Sequence, residues 1–166
     1  MCFNIGMEIE RKWLIDVNNI PYDLNSLDHD DIEQAYINFS PTVRLRRIIN
    51  KNKYILTMKS KGDDTDLVRQ EYEMEISKKQ YDDFINLKQG IILSKTRYKV
   101  KQNNLTLEID IFHNDYEGLA YLEVEFDSLE QAKIYIPPEF VVKELTGLKG
   151  YSNAALVKKQ IKNSNS

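Results

Sequence analysis

The chain has 166 residues and a formal net charge of −3, although 30% of its residues are charged, so regions of opposite sign cancel in the sum. This length favours a single domain, and the charge excludes both the basic excess of a nucleic-acid-binding protein and the acidic runs of a disordered chain. The one cysteine, Cys2, can form no internal disulfide, and no apolar run approaches membrane-spanning length. We therefore expect a cytoplasmic protein without nucleic-acid or membrane partners.

In chain order, a first strand is expected around residues 7–14, followed by a loop-like stretch at 16–31 that contains Pro21. Alternation of apolar and polar residues predicts seven further strands, at 32–39, 42–49, 53–61, 69–76, 91–101, 105–112 and 120–127. Four helices are expected, at 77–88, 128–134, 139–145 and 153–162. This succession indicates a mainly β (α+β) fold, a closed eight-stranded antiparallel β-barrel with flanking helices, and a β-sandwich is the alternative.

Each predicted strand carries charges along one of its faces. Glu8, Glu10 and Lys12 share a face of the first strand, because side chains in a strand alternate with a period of two. Like charges at neighbouring positions on one face repel, so they require cross-strand partners or a ligand. The later same-face sets are Arg44 and Arg46; Lys59 and Lys61; Arg69 with Glu71, Glu73 and Glu75; Lys95, Arg97, Lys99 and Lys101; Glu108 and Asp110; and Glu123, Glu125 and Asp127.

The opposite faces of these strands are mostly aliphatic, as in Val43 and Leu45 or Leu122 and Val124. If the charges faced solvent, as on an ordinary half-buried antiparallel sheet, the aliphatic residues would fill the barrel. If the charges faced inward, helices would have to cover an aliphatic outer surface. Periodicity alone leaves both arrangements open.

The segment Glu8-Ile-Glu10-Arg-Lys12 resembles the Glu-x-Glu-x-Lys signature of the CYTH superfamily, the triphosphate tunnel metalloenzymes. Later motifs resemble that family in the family's order: Arg44-x-Arg46, Lys59, Arg69-x-Glu71-x-Glu73, Lys95-x-Arg97, Glu123-x-Glu125, and Glu144-Leu-Thr-Gly147 with Tyr151-Ser-Asn153. The resemblance spans about residues 7–156. We therefore expect one CYTH-like domain over 1–166 with its core at 7–156 and peripheral ends at 1–6 and 163–166.

The resemblance implies a tunnel lined with charges, in which a small triphosphate is hydrolysed. It also implies a cofactor of Mg²⁺ or Mn²⁺, with two ions bound at the site. The phosphate-binding residues that it implies are Lys12, Arg44, Arg46, Lys59, Lys95 and Arg97, since arginine and lysine suit phosphate oxygens. The metal ligands that it implies are Glu8, Glu10, Asp110, Glu123 and Glu125, since these hard cations prefer oxygen. Glu8, Glu10, Lys12 and Glu125 would be catalytic, and Glu71 and Glu73 would hold basic side chains in position.

Three functions stay open at this point. The first is hydrolysis of inorganic tripolyphosphate, thiamine triphosphate or a nucleoside triphosphate. The second is a class IV adenylyl cyclase, which converts ATP to cyclic AMP and pyrophosphate, and the third is a non-catalytic polyphosphate- or nucleotide-binding module. No adenine-recognition motif is evident, which favours a small linear triphosphate.

Two further expectations concern the C-terminal part and the oligomeric state. Gly150 lies where the family often has a basic residue, so Lys149 or Lys143 is expected to substitute for it. A homodimer is expected if the helices cover the aliphatic outer face only in part.

Overall fold

The computed structural model describes residues 3–60 and 68–164, with side chains for all of these except 3–7, 68, 69 and 164. The described residues form nine strands, β1 (Phe3–Ile15), β2 (His29–Phe39), β3 (Thr42–Ile48), β4 (Lys53–Lys59), β5 (Val68–Glu75), β6 (Gln89–Gln102), β7 (Leu105–Phe112), β8 (Ala120–Glu125) and β9 (Val141–Glu144). They also form three α-helices, α1 (Lys78–Ile85), α2 (Leu129–Ile134) and α3 (Asn153–Ser164). Lys61 and the turn region at 62–66 lie outside the described residues, and of Arg69 only the backbone is described.

The strands form one antiparallel sheet in the order β5-β4-β3-β2-β6-β7-β8-β1-β9. The first part of β1, residues 3–9, also pairs with β5, while residues 10–14 pair with β8. Eight strands therefore surround a tunnel, and β1 joins the two ends of the sheet at staggered positions. The predicted eight-stranded antiparallel tunnel with flanking helices is confirmed.

The expectation of a helix at 139–145 is wrong, because this segment contains β9. β9 pairs with the end of β1, where Trp13 lies opposite Glu144 and Ile15 opposite Val141. Arg11 donates from Nε and Nη2 to the two carboxylate oxygens of Glu144, both over 2.8 Å. An unpaired edge of β1 and a bidentate ion pair thus hold the segment extended.

Local sequence explains the turns and the start of α1. Asn52 and Asn103 have positive φ, 48° and 54°, which asparagine tolerates better than most residues, and each lies between two hairpin strands. Ser77 caps α1 in a capping box, in which its hydroxyl accepts from the Gln80 backbone N–H and the Gln80 side chain accepts from the Ser77 N–H.

The apolar faces of the strands point outward and are covered over most of their area, although Met58 of β4 and Tyr72 of β5 are exposed. Trp13 and Leu122, 1% and 0% exposed, pack in a cluster that includes Ala132 of α2. Tyr81 of α1 packs in a second cluster against Leu45, outside β3. A third cluster joins α3 to inward-facing aromatic residues and fills one end of the tunnel with apolar side chains. The charged faces therefore line the interior, which settles the arrangement that periodicity left open.

Candidate active site

The tunnel contains a polar cavity of about 330 Å³. Its lining is rich in charged side chains of both signs, so it suits a charged ligand rather than an apolar one. All but two of the predicted site residues line it: Glu8, Glu10, Lys12, Arg44, Arg46, Lys59, Glu71, Glu73, Arg97, Glu123 and Glu125. The exceptions are Lys95 and Asp110, which are fully buried beneath the lining.

Strand register brings residues from distant parts of the sequence together. Across β1 and β8, Glu10 lies opposite Glu125 and Lys12 opposite Glu123. The two acidic residues are thus direct neighbours, whereas the lysine faces a carboxylate. Like charges directly opposite each other destabilise a sheet, so the first pair calls for a compensating cation.

Lys95, Arg97, Asp110 and Glu123 form what we call the buried ion-pair cluster. Lys95 pairs with Asp110, and both side chains are 0% exposed. Arg97 donates from Nε and Nη2 to Asp110, over 2.6 and 2.7 Å, and also pairs with Glu123. Burial of ions is tolerated because each has a partner here.

The pKa values in this cluster follow from burial and pairing. Burial and the neighbouring Arg97 lower the pKa of Lys95 to about 8. For Glu123, burial acts to raise the pKa, but Lys12, Arg97 and Lys95 outweigh it and hold the pKa well below its usual value. Lys12 contacts the Glu123 carboxylate over 2.8 Å. Glu123 is therefore ionised and already surrounded by protein cations.

A second set of ion pairs lies on β4, β3 and β5. Lys59 contacts Glu8 over 2.6 Å and Glu71 over 2.7 Å. Arg44 lies 3.6 Å from Glu71 and 3.8 Å from Glu73, and it donates to the Thr57 hydroxyl over 2.9 Å. Glu71 and Glu73 thus contact basic side chains, as a positioning role requires.

Glu8, Glu10 and Glu125 form what we call the open carboxylate group. Burial and the neighbouring Glu123 and Glu8 raise the pKa of Glu10 to about 7, although Lys12 acts in the opposite direction. The side chain of Glu125 is exposed, but its partial desolvation by neighbouring residues raises its pKa. The nearby charges of Glu8 and Glu108 raise this pKa further. Within the described part of the chain, Glu125 has no ion pair. Glu8 contacts Lys59 over 2.6 Å and Glu10 lies 3.8 Å from Lys12, but each lysine also contacts a further carboxylate, so negative charge is in surplus at this place.

Arg46 is the corresponding surplus cation. Burial, Arg44 and Arg97 lower its pKa to about 10. Among the described residues it forms no ion pair within 4.0 Å, and its buried Nε has no hydrogen-bond partner. A half-buried guanidinium without an ion pair is costly, so this position favours an anion.

The open carboxylate group was tested for its fit to a divalent cation. In the described ranges, no three or more His, Cys, Asp or Glu side chains converge as a ready metal site. The three carboxylates nevertheless supply the oxygen ligands that Mg²⁺ and Mn²⁺ prefer, and burial together with repulsion from Glu8 and other nearby carboxylates raises the pKa of Glu10 and Glu125. The donor set therefore fits a cation by its chemistry and charge.

Sequence reasoning missed several residues that line the cavity. They are Tyr36, Thr42, Glu108 and residues of the segments 145–148 and 151–154. Glu108 lies on the same face as Asp110, so the acidic stripe offered a signal for it. Tyr36 and Thr42 offered none beyond their place on an inward face, whereas the two C-terminal segments overlap 144–147 and 151–153, to which the family resemblance had pointed without assigning a site role. Neither Lys149 nor Lys143 lines the cavity.

Comparison with known proteins gives one consistent family. The CYTH domain model matches residues 6–135. An inorganic triphosphatase of Nitrosomonas europaea is 34% identical over 152 residues, which cover 90% of this chain and 95% of that protein. An inorganic triphosphatase of Acetivibrio thermocellus is 29% identical over 160 residues, covering 96% and 98%.

Solved structures agree with this result. A crystal structure of an inorganic triphosphatase superposes with a TM-score of 0.64 at 32% identity, and covers 90% of this chain and 93% of that one. A protein of Pyrococcus horikoshii, at 21% identity and a TM-score of 0.61, shares the fold. On the family match over residues 6–135, the chain belongs to the CYTH domain family.

Proposed function

We propose that this protein is a metal-dependent hydrolase of a triphosphate and that inorganic tripolyphosphate is its preferred substrate. The observation that carries the proposal is the juxtaposition, in one cavity, of the half-buried Arg46, which has no ion pair among the described residues, and a surplus of carboxylates. A linear triphosphate bound with a divalent cation satisfies both. Two relatives that the chain matches over at least 90% of its length are named inorganic triphosphatases, which supports this choice.

The basic wall binds and orients the polyanion. Arg46 Nε has no hydrogen-bond partner among the described residues, and Arg44, Lys12, Lys59 and Arg97 line the same cavity. Planar guanidinium groups can hold two phosphate oxygens at once, while the lysines act as mobile point charges. During phosphoryl transfer these fixed cations stabilise the charge on the migrating group, which is the main protein contribution to such reactions.

Glu8, Glu10 and Glu125 would hold the divalent cation, and a bound cation neutralises phosphate charge and lowers the pKa of a coordinated water. Glu123 would assist from its place between Lys12 and Arg97. Because Glu10 and Glu125 both line the cavity, they are the candidates for receiving the proton of the attacking water, through water held by the cation.

Lys95 and Asp110 take a different part in this proposal. A direct contact of either with phosphate or metal would require their buried ion pair to open. We therefore assign Asp110 to fixing Arg97, which does line the cavity, and Lys95 to neutralising Asp110. Glu71 and Glu73 likewise hold Arg44, and Glu71 also holds Lys59.

The experiment that tests the function is a panel of phosphate-release assays with Mg²⁺ and with Mn²⁺. Tripolyphosphate, thiamine triphosphate and ATP are compared, and cyclic AMP is measured in parallel. We expect metal-dependent phosphate release, with the largest kcat/KM for tripolyphosphate. Cyclic AMP formation without phosphate release would identify a cyclase instead, and tight binding without turnover would identify a binding module.

Three finer properties stay predictions of this proposal. A cytoplasmic location is predicted from the single cysteine, and no described helix is long and apolar enough to cross a membrane. Phosphate release with Mg²⁺ and with Mn²⁺ at equal concentration decides which ion supports the higher activity.

A homodimer is predicted because apolar residues such as Ile134, Ile136 and Val142 are exposed. Light scattering after size-exclusion chromatography tests this prediction.

A further inference from the structure

Arg11 lies between two of the proposed site residues on β1, but its side chain points to the outer side of the strand. Its guanidinium donates to both carboxylate oxygens of Glu144. Its Nη1 also donates to the backbone carbonyls of Ala132 and Tyr135, over 2.7 and 2.9 Å. Arg11 therefore joins β1 to β9 and to the end of α2.

The segment that follows β9 is bonded to the backbone of Lys12. The Leu145 N–H donates to the Lys12 carbonyl over 2.8 Å, and the Lys12 N–H donates to the Thr146 hydroxyl oxygen over 3.0 Å. The hydroxyl donates its own proton to Glu144 Oε1 over 2.9 Å, because the Lys12 carbonyl is farther away, at 3.4 Å, and already has a donor. Both backbone polar groups of Lys12 thus have a partner in this segment.

Arg11, Glu144 and Thr146 form what we call the Arg11 clasp, a chain of hydrogen bonds that ends at the Lys12 backbone. Hydrogen bonds from Arg11 lower the pKa of Glu144 against the effect of its partial burial, and the bond from Thr146 lowers it further. Glu144 is therefore ionised at neutral pH and accepts from both groups. A charged acceptor orients the Thr146 hydroxyl so that its oxygen is available to the Lys12 N–H.

The clasp holds the outer side of a residue whose inner side belongs to the cavity. Lys12 and Thr146 both line the cavity, and Lys12 Nζ lies 2.8 Å from the Glu123 carboxylate. The two backbone bonds of Lys12 fix the root of its side chain. A shift there would move the ammonium group relative to the other cations of the wall, and a small misplacement of a catalytic group is costly.

We propose that Thr146 and Glu144 are positioning residues for Lys12 in the hydrolysis of the triphosphate. This inference rests on the proposed function, because it takes Lys12 as a ligand of a bound polyanion. Thr146 fixes the Lys12 backbone directly, and Glu144, held by Arg11, orients the Thr146 hydroxyl. Glu144 does not line the cavity, and the proton of Thr146 is already donated, so neither needs to contact the substrate.

The first test is Thr146→Val, which keeps the shape of the side chain and removes the hydroxyl. We expect kcat/KM for tripolyphosphate to fall about tenfold, a part of what a hydrogen bond to a charged group contributes. Thr146→Ser restores the hydroxyl and should stay within about twofold of the wild type. A loss in Thr146→Ser as large as in Thr146→Val would contradict a role of the hydroxyl.

Thr96→Val is the matched control. The Thr96 hydroxyl also donates to a carboxylate, that of Asp31 over 3.0 Å, but it does not line the cavity. Its kcat/KM should equal that of the wild type. An equal loss in Thr96→Val and Thr146→Val would show a general effect of removing such a hydroxyl and overturn the inference.

The dissociation constant of tripolyphosphate, measured by calorimetry in EDTA, shows whether Thr146 acts through Lys12. Thr146→Val should raise the Kd about 5- to 10-fold in the wild-type background and have no further effect in the Lys12→Met background. Equal effects in the two backgrounds would show a purely structural role and contradict the positioning of Lys12.

Glu144→Gln tests the same chain of bonds at a side chain that is 43% exposed, so this variant should fold even if Thr146→Val does not. We expect the Kd to rise about threefold, and again not in the Lys12→Met background. A Kd equal to that of the wild type would exclude Glu144 from the positioning of Lys12.

The wild-type protein separates this inference from the function on which it rests. If the wild type binds and hydrolyses tripolyphosphate and both Thr146→Val and Glu144→Gln equal it in kcat/KM and Kd, the inference is overturned and the function stands. A wild type that neither binds nor hydrolyses tripolyphosphate overturns both.

Discussion

The buried ion-pair cluster and the open carboxylate group are built from the same residue types on the same kind of strand, yet they differ in charge balance. In the cluster, Lys95 and Arg97 match Asp110 and Glu123, and the pKa of Glu123 is held low. In the open group, the pKa values of Glu10 and Glu125 are raised.

This difference distinguishes the charged residues that stabilise the fold from those that bind a ligand. Fully buried ions need internal partners, because nothing else can stabilise them at that depth. Charged side chains that line an accessible cavity can lack an internal partner, since a ligand of opposite charge can neutralise them. The fully buried pair of Lys95 and Asp110 therefore serves stability and the open carboxylate group serves binding, and substitutions in these two places should have opposite phenotypes.

The largest effect is expected on activity in the open group. Glu125→Gln removes a proposed metal ligand and should lower kcat/KM for tripolyphosphate by about 100-fold or more. The melting temperature should not fall, because the change also removes a repulsive charge. Phosphate release and thermal denaturation measure the two quantities, and the exposed Glu139→Gln is the control. Retention of more than half the activity would exclude Glu125 from the metal site.

The opposite phenotype is expected in the buried cluster. Asp110→Asn leaves Lys95 without its carboxylate and replaces one of the two oxygens that accept from Arg97 with an NH₂ donor, so the free energy of unfolding should fall by about 3–5 kcal/mol. Urea denaturation measures it, and Asp82→Asn in the surface pair with Lys78 should leave the midpoint unchanged. A stable Asp110→Asn variant that has lost metal affinity would reverse our assignment and make Asp110 a ligand.

The fold follows from sequence where a pattern is local. Alternation places the strands within a few residues, as for β7, predicted at 105–112 and observed as Leu105–Phe112. The segment around β9 defeated this reasoning, because its extended form depends on the free edge of β1, more than a hundred residues earlier. A segment of four residues is too short for its pattern of apolar and polar residues to distinguish a strand from a helical turn.

The site is predictable as a set of residues but not as a set of roles. Asp110 and Glu125 have the same inward alternation, so no sequence pattern distinguishes the buried from the accessible carboxylate. What separates them is depth along the tunnel and the cation that register places opposite, as Arg97 lies opposite Asp110 and Glu10 opposite Glu125. Tyr36 escaped notice because a lone uncharged residue forms no stripe.

Arg46 gives a sharper form of the comparison, since it is half-buried and yet has no ion pair among the described residues. Arg46→Gln should leave the free energy of unfolding equal or higher, because Arg44 and Arg97 lose a repelling neighbour. The Kd for tripolyphosphate should rise about 10- to 100-fold, as for loss of a hydrogen-bonded charge. Arg47→Gln on the same strand is the control, because Arg47 contacts Glu33 and does not line the cavity. A large loss of stability in Arg46→Gln would place Arg46 among the balanced ions.

The smallest effect is expected at Asp30, a buried carboxylate whose two lysine partners are partly exposed to solvent. Lys51 and Lys99 contact Asp30 over 2.6 and 2.7 Å, and their hydrogen bonds outweigh burial and lower the pKa of Asp30. A carboxyl whose pKa is lower in the folded state contributes stability above its unfolded pKa and loses it as the pH falls through the folded value. Asp30→Asn should therefore cost about 1–2 kcal/mol near pH 7, less than Asp110→Asn because the two lysines are partly solvated. The difference from the wild type should shrink as the pH is lowered to about 3, and urea denaturation at both pH values measures it. A difference that stays constant with pH would mean that the side chain matters for packing and not for its charge.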